Sequence, residues 1–122
     1  MNNKDIVKYY YEVIVSQNLL NELPNYVSEN CMIKVGDKIF PLGLNGMKEH
    51  LIDVKKTYPD YTMKIIKQYS DGDYVISEFI MQGTVNGKIK ITKKVGLTIA
   101  TYGNDSLPTG YLFLLKSLIF YV

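Results

Sequence analysis

The chain contains no arginine and no tryptophan, one cysteine (Cys31) and one histidine (His50), and its fourteen basic residues are all lysine. Without arginine it lacks the planar fork that grips carboxylate, phosphate or guanine through two parallel hydrogen bonds. The formal net charge is only +2, which gives no strong field toward polyanions. Together these absences argue against nucleic acid as a partner. A lone cysteine excludes an internal disulfide. One cysteine with one histidine cannot complete a structural zinc site, so no metal is expected. The longest apolar stretch, 111–122, is broken by Lys116 and Ser117. It falls short of the roughly 20 apolar residues of a membrane helix, so no membrane is expected as a partner. The opening MNNKDIVKYYYE is polar and then amphipathic, unlike a secretory signal. The expectation is a cytoplasmic chain.

What is present suits one domain over residues 1–122, with 47% hydrophobic and 21% charged residues. A chain of this size buries roughly two-thirds of its unfolded surface. Ile6, Tyr10, Val13 and Gln17 recur at helical spacing, with Val7, Tyr11 and Ile14 beside them. This predicts a helix over 4–17, capped by Asn3 and ended by Asn18. A second, broken helical segment follows around Leu19–Val27, because Pro24 fits only a first turn. Cys31–Val35 reads as a strand, turned by Gly36-Asp37 into Lys38–Phe40. A third helix, capped by Asn45, carries the stripe Met47, His50/Leu51, Val54 and Tyr58, and Tyr58-Pro59-Asp60 stops it.

From Tyr61 the period changes to two. Long strands follow over Tyr74–Val85, from about Ile89 to Tyr102, and from about Leu107. The turns between them are Ser70-Asp71-Gly72-Asp73, Asn86-Gly87 and Gly103-Asn104-Asp105. Helices first and an antiparallel meander second is an α+β pattern. A sheet of that length twists and curls, which leaves its concave face for the helices and a cavity between them.

The stretch GMKEHLIDVKKTYPDYTMKIIKQYSDGDYVISEFIMQGTVNG, Gly46 to Gly87, resembles the SnoaL-like polyketide cyclase branch of the NTF2-like superfamily. The signs are a glycine opening the third helix, the helix-ending YPD, the DGD-Y-V turn into a strand, and Phe79 followed by Gly83-Thr84. The resemblance implies a ketosteroid isomerase-like cone. In it a curved, mostly antiparallel sheet carries about three helices on its concave face. It also implies a buried pocket for a hydrophobic small molecule and a homodimer through the sheet. The departures bear on chemistry. Val85 stands where the cyclases commonly carry a histidine after Gly-Thr. Gly110-Tyr111 falls where His-Trp is expected, and Leu115 near the acid. Val35 takes the position of the isomerases' base, with Asp37 two residues on. Tyr11 falls where those isomerases carry an oxyanion-binding tyrosine. After about Ser106 the likeness fades.

Each candidate residue has a plain reading beside a chemical one. His50 is either a general acid/base, suited by its ordinary pKa, or a boundary histidine on a backbone carbonyl. Tyr11 either donates to a substrate oxygen or packs with its ring inside and hydroxyl at the rim. Glu78 shares a strand face with Ile76 and Ile80, so it is either a desolvated acid or an ion-pairing residue at an interface. Ser77, Phe79 and Met81 take the opposite face. Asp37 suits a turn, and Cys31 a small buried hydrophobe. Phe40, Met47, Met63, Tyr69, Phe79 and Met81 read as core, some of it lining the cavity. Tyr10, Tyr11, Met47, His50, Phe79 and Met81 are the expected pocket lining. The family's acid/base positions read as lost, which favours binding of a hydrophobic small molecule with no cofactor. An isomerase or cyclase using His50 or Glu78 with Tyr11, and a homodimeric interaction module, are the alternatives.

Overall fold

The computed structural model describes residues 2–27, 29, 31–35, 38–72, 74–102 and 108–121, with side chains through 98 apart from 34 and 35. The predicted turn residues Gly36, Asp37, Asp73 and Gly103-Asn104-Asp105 lie outside the described residues. So do the side chains of Val35, Tyr111 and Leu115.

The first helix starts one residue earlier than the sequence suggests. Asn2 is its N-cap, accepting the Asp5 N–H at 2.9 Å. Asn3 instead donates to the Gly72 carbonyl at 3.0 Å, which ties the helix start to a distant turn. Helix α1 spans Asn3–Tyr9 and runs on as a π-helical segment over Tyr10–Val15. Asn18 closes it with φ +55°, a left-handed conformation that asparagine tolerates. A 3-10 segment, Leu20–Asn25, carries Pro24 as expected of the broken second segment.

Helix α2 spans Gly43–Thr57, three residues longer at its start than an Asn45 cap would give. Gly43 begins it at φ +64°, and a Cβ there would lie 2.8 Å from the Glu29 carbonyl oxygen. Only glycine fits both demands.

The strands are β1 (Met32–Val35), β2 (Lys38–Phe40), β3 (Thr62–Asp71), β4 (Tyr74–Val85), β5 (Lys88–Tyr102) and β6 (Pro108–Tyr121). They form one sheet in the order β2-β1-β6-β5-β4-β3. All neighbours are antiparallel except β1 with β6, which run parallel from Met32↔Tyr111 to Val35↔Leu114. The sheet thus keeps the predicted mostly antiparallel character, and β6 is the last strand expected from about Leu107.

Val7, Tyr11, Ile14 and Val15 of the first helix and Met47 and Leu51 of α2 are buried with Val75 and Phe79 of β4. This helix-covered side is called the inner face below. Phe79 is 1% exposed, and burying a side chain of that size contributes roughly 1.5–3 kcal/mol. Its ring meets Tyr11 at 5.1 Å between centroids with the planes tilted by 46°, a contact that adds to the burial.

A bulge between Ile65 and Lys67 corrects one reading of β3. Met63 and Ile65 pack inward, as the alternation from Tyr61 predicts. The extra residue then reverses the alternation, so Gln68 faces in while Tyr69 is 46% exposed. Phe40, at 44% exposure, is likewise not core; it sits on the short edge strand β2.

Strand β3 is the opposite edge, and the π-helical segment covers it. Glu12 accepts the Ile65 N–H at 2.9 Å, and Ser16 Oγ accepts the Met63 N–H at 2.8 Å. Lys55 of α2 donates to the Ser16 and Tyr61 carbonyls at 2.7 and 2.9 Å. Edge amides that would otherwise invite another strand are thereby satisfied.

Candidate functional site

Register decides what the inner face presents. Along β4, Val75, Ser77, Phe79, Met81 and Gly83 face the helices, and their β5 partners are Thr98, Gly96, Lys94, Thr92 and Lys90 in that order. Directly paired residues of an antiparallel ladder share a face. From Lys90 to Thr98 the inner side of β5 is therefore polar or glycine, while Ile89, Ile91, Val95 and Leu97 take the outer side. Thr92 is buried, and Thr98 Oγ1 lies 3.3 Å from the hydroxyl of buried Tyr11. Ser77, fully buried, receives a hydrogen bond from Gln68 Nε2 at 3.3 Å.

Desolvation pushes the phenols of Tyr10, Tyr11 and Tyr61 upward from their ordinary value of 10.0. They are neutral donors rather than bases. The Lys94 ammonium moves the other way, lowered by burial and by the charge of Lys90. At one end of this face Tyr58, Tyr61, Met81, Gln82, Gly83, Lys90 and Thr92 enclose an open pocket of about 70 Å³. That is room for a few waters; drug-sized ligands need several hundred Å³.

The predicted site residues divide. Tyr11, Met47 and Phe79 come together in the core, with Tyr10 and Met81 packed against it. Among them, Met81 alone lines the described pocket. His50 does not face the sheet. It is exposed on α2 with Asp53 near it, and partial burial lowers its pKa while Asp53 raises it. The helix buries Met47 and Leu51, four apart, and His50 lies to the side of that line. Glu78 is on the outer face, where it accepts from Tyr69 at 3.3 Å and pairs in register with Lys67. His50, Glu78 and Tyr11 therefore do not share a site. Cys31 is buried, with its thiol pushed up to about 11, so it is a small core residue and no nucleophile. Among the described residues no cluster of three His, Cys, Asp or Glu side chains stands ready to hold a metal.

Two sequence signs of the resemblance meet at the pocket rim. Asp60 of the YPD segment accepts the Thr84 N–H at 2.9 Å and its hydroxyl at 2.6 Å. Next to it, the Tyr58 ring lies over Gly83 so closely that a Cβ there would sit 2.8 Å from the ring.

The model of the SnoaL-like polyketide cyclases matches residues 4–101. The chain belongs to that family. The fold agrees with solved structures at low identity. IdmH of Streptomyces antibioticus superposes with TM-score 0.76 at 15% identity, over 96% of this chain and 92% of that one. A SnoaL-like polyketide cyclase of Agrobacterium tumefaciens gives 0.71 at 18%, over 95% and 93%. A protein of ketosteroid isomerase-like fold from Catenulispora acidiphila, solved with trimethylamine, gives 0.72 at 15%, over 93% and 85%. No curated protein matches the sequence. Among the described residues, no helix is long and apolar enough to cross a membrane.

In this SnoaL-like chain the inner-face residues that sequence reasoning missed are Lys90, Thr92, Lys94 and Thr98. The alternation of KIKITKKVGLTIA was visible. By the usual rule its apolar set faces the core, and the structure turns that set outward. The signal that fixes the direction is the pairing across β4, where Phe79 lies opposite Lys94.

Proposed function

We propose that this SnoaL-like chain binds a hydrophobic small molecule between its helices and the inner face of the sheet, without running cyclase chemistry. One observation carries the reading. The inner face joins the apolar surfaces of Tyr58, Tyr61 and Met81 at its pocket to hydroxyls and amines, and among the described residues it has neither a carboxylate nor an imidazole. Proton abstraction beside a carbonyl needs a base within hydrogen-bond reach of the carbon acid. His50 and Glu78 are both turned away from that face, and the family's other acid/base positions hold Val85, Gly110 and Leu115. Tyr11 supplies a hydroxyl that can orient a ligand oxygen.

The test is turnover and binding on the same purified protein. A ketosteroid and a β-keto ester are each expected to show no conversion above the buffer rate, while a hydrophobic aromatic ligand titrates saturably. Conversion that disappears in Tyr11→Phe would replace this reading with that of an acid/base isomerase or cyclase.

We also propose that a second copy covers the outer face. Tyr74, Ile76 and Ile89 are 52%, 36% and 40% exposed there, and Ile91, Val95 and Leu97 share that side. An exposed apolar set of this kind, which shares its face with Glu78 and Lys93, is a docking surface or a solubility liability, and a symmetric homodimer is the simplest cover.

A further inference from the structure

The pocket at the end of the inner face is built from two strands and one connection. Its floor is a patch of β4 and β5, where register sets Met81 opposite Thr92 and Gly83 opposite Lys90. Tyr58 and Tyr61, on the connection from α2 to β3, close it with ring centroids 6.3 Å apart. That connection is braced. The Tyr61 N–H donates to the Tyr58 carbonyl at 2.9 Å, Lys55 donates to the Tyr61 carbonyl at 2.9 Å, and Asp60 between the two tyrosines is held by Thr84. Gly83 lets the Tyr58 ring lie against the strand, where a Cβ would collide with it. The walls are therefore set before a ligand arrives, which lowers the ordering cost of binding.

Size and lining together define what fits. A space of about 70 Å³ takes a handful of non-hydrogen atoms, about as many as it takes waters. Its lining offers one ammonium (Lys90), the hydroxyls of Thr92 and two tyrosines, the Gln82 amide and the apolar surface of Met81, with no acidic residue. We infer that this pocket takes a short-chain aliphatic monocarboxylate of about the size of propionate, its carboxylate on Lys90 and Thr92 and its alkyl end against Met81 and the tyrosine rings. This rests on the binding reading above and gives the ligand's size and head group. Hydrogen bonds between an ammonium and a carboxylate are roughly twice as strong as neutral ones. A single ammonium matches a single negative charge; a phosphate monoester would call for a second cation or for the arginine fork that the chain lacks.

The experiment follows the methionine methyl signals of the full chain by NMR during titration with sodium propionate and with its neutral isostere propionamide, at matched ionic strength. The Met81 methyl is expected to shift saturably, while those of buried Met47 and Met63 hold still. Propionate should bind about fivefold or more tightly than the amide, the scale of one hydrogen bond to a charged group. Lys90→Met and Lys90→Gln should bring the two compounds level, and Lys90→Arg should keep most of the difference. Lys93→Met, on the outer side of the same strand, should leave it unchanged. Equal binding of acid and amide by the wild-type chain overturns this inference, as does a preference that survives both neutral substitutions. A Met81 signal that propionate does not move at up to about 100 mM, well above the millimolar affinity open to so small a ligand, overturns it too. In each of these cases the saturable titration of a hydrophobic aromatic ligand still decides the binding reading by itself.

Discussion

Asp60 holds Thr84 by two hydrogen bonds, one to its backbone N–H at 2.9 Å and one to its hydroxyl at 2.6 Å. The end of α2 is thereby joined to the end of β4, twenty-four residues away in sequence. The Thr84 hydroxyl and then its N–H hold the Asp60 carboxyl below its ordinary 3.8. A carboxylate depressed in the folded state adds stability that is fully present above the unfolded value and lost as pH falls through the folded one. Asp60→Asn is expected to lower the melting temperature at pH 7 and to narrow the difference from wild type below about pH 4. Melting curves from pH 7 to pH 2.5 check this; a constant difference across that range would rule it out.

Gly83 is the second half of the same junction. A Cβ at that position meets the Tyr58 ring at 2.8 to 3.0 Å. Gly83→Ala is expected to destabilise by about 1–3 kcal/mol, the usual cost of overpacking. In a Tyr58→Ala background the same change should cost much less. Additive effects in denaturant unfolding would mean that the two residues are not coupled.

At the β3 edge, Ser16→Ala removes the acceptor of the Met63 N–H, and Met63 is buried. An abandoned buried donor costs about 1–3 kcal/mol. Hydrogen exchange at the Met63 amide should accelerate more than at amides of β4. Glu12→Leu should act in the same way on Ile65.

Tyr10, Tyr11 and Tyr61 predict the alkaline limit. Burial raises all three above 10.0, so the folded chain keeps protons that the unfolded chain has released. Above about pH 10 the unfolded state binds fewer protons, and stability falls as pH rises. Absorbance at 295 nm should titrate in two steps. The second should coincide with loss of secondary structure and shrink in the Tyr11→Phe variant.

The outer face is tested by Ile76→Lys and Ile89→Lys. Both residues are already exposed, so the fold should survive, and light scattering should report monomers in place of dimers at micromolar concentration. A wild-type chain that is monomeric there would dismiss the proposed interface.

Much of the fold could be read from local chemistry. The strand Tyr74–Val85 was bounded correctly by the turn residues before it and Asn86-Gly87 after it, and Asn18 ended the first helix as expected. Features set by tertiary contacts could not be read in this way. A π-helical stretch has no composition of its own; here it brings Glu12 and Ser16 to the β3 edge. One bulge residue exchanged the faces of Gln68 and Tyr69. The expected capping by Asn3 and Asn45 yielded to Asn2 and to the left-handed Gly43. The candidate site was half legible: its aromatic wall follows from periodicity, but its lysines break the rule that apolar residues face inward. An amphipathic strand pattern states that two faces differ, and only its neighbours decide which one the helices cover.

The parallel pairing of β1 with β6 also orders events in time. Met32–Val35 find their partner among residues made almost eighty positions later, at Tyr111–Leu114. During synthesis the β1–β2 hairpin therefore waits with an open side while the meander β3–β5 can already close on itself. Contacts so distant along the chain slow folding, and an unpaired strand is an invitation to other nascent chains. Joining β6 is the step that turns two separate antiparallel pieces into one sheet, so the interval before it is when unpaired strand edges are most open to wrong partners.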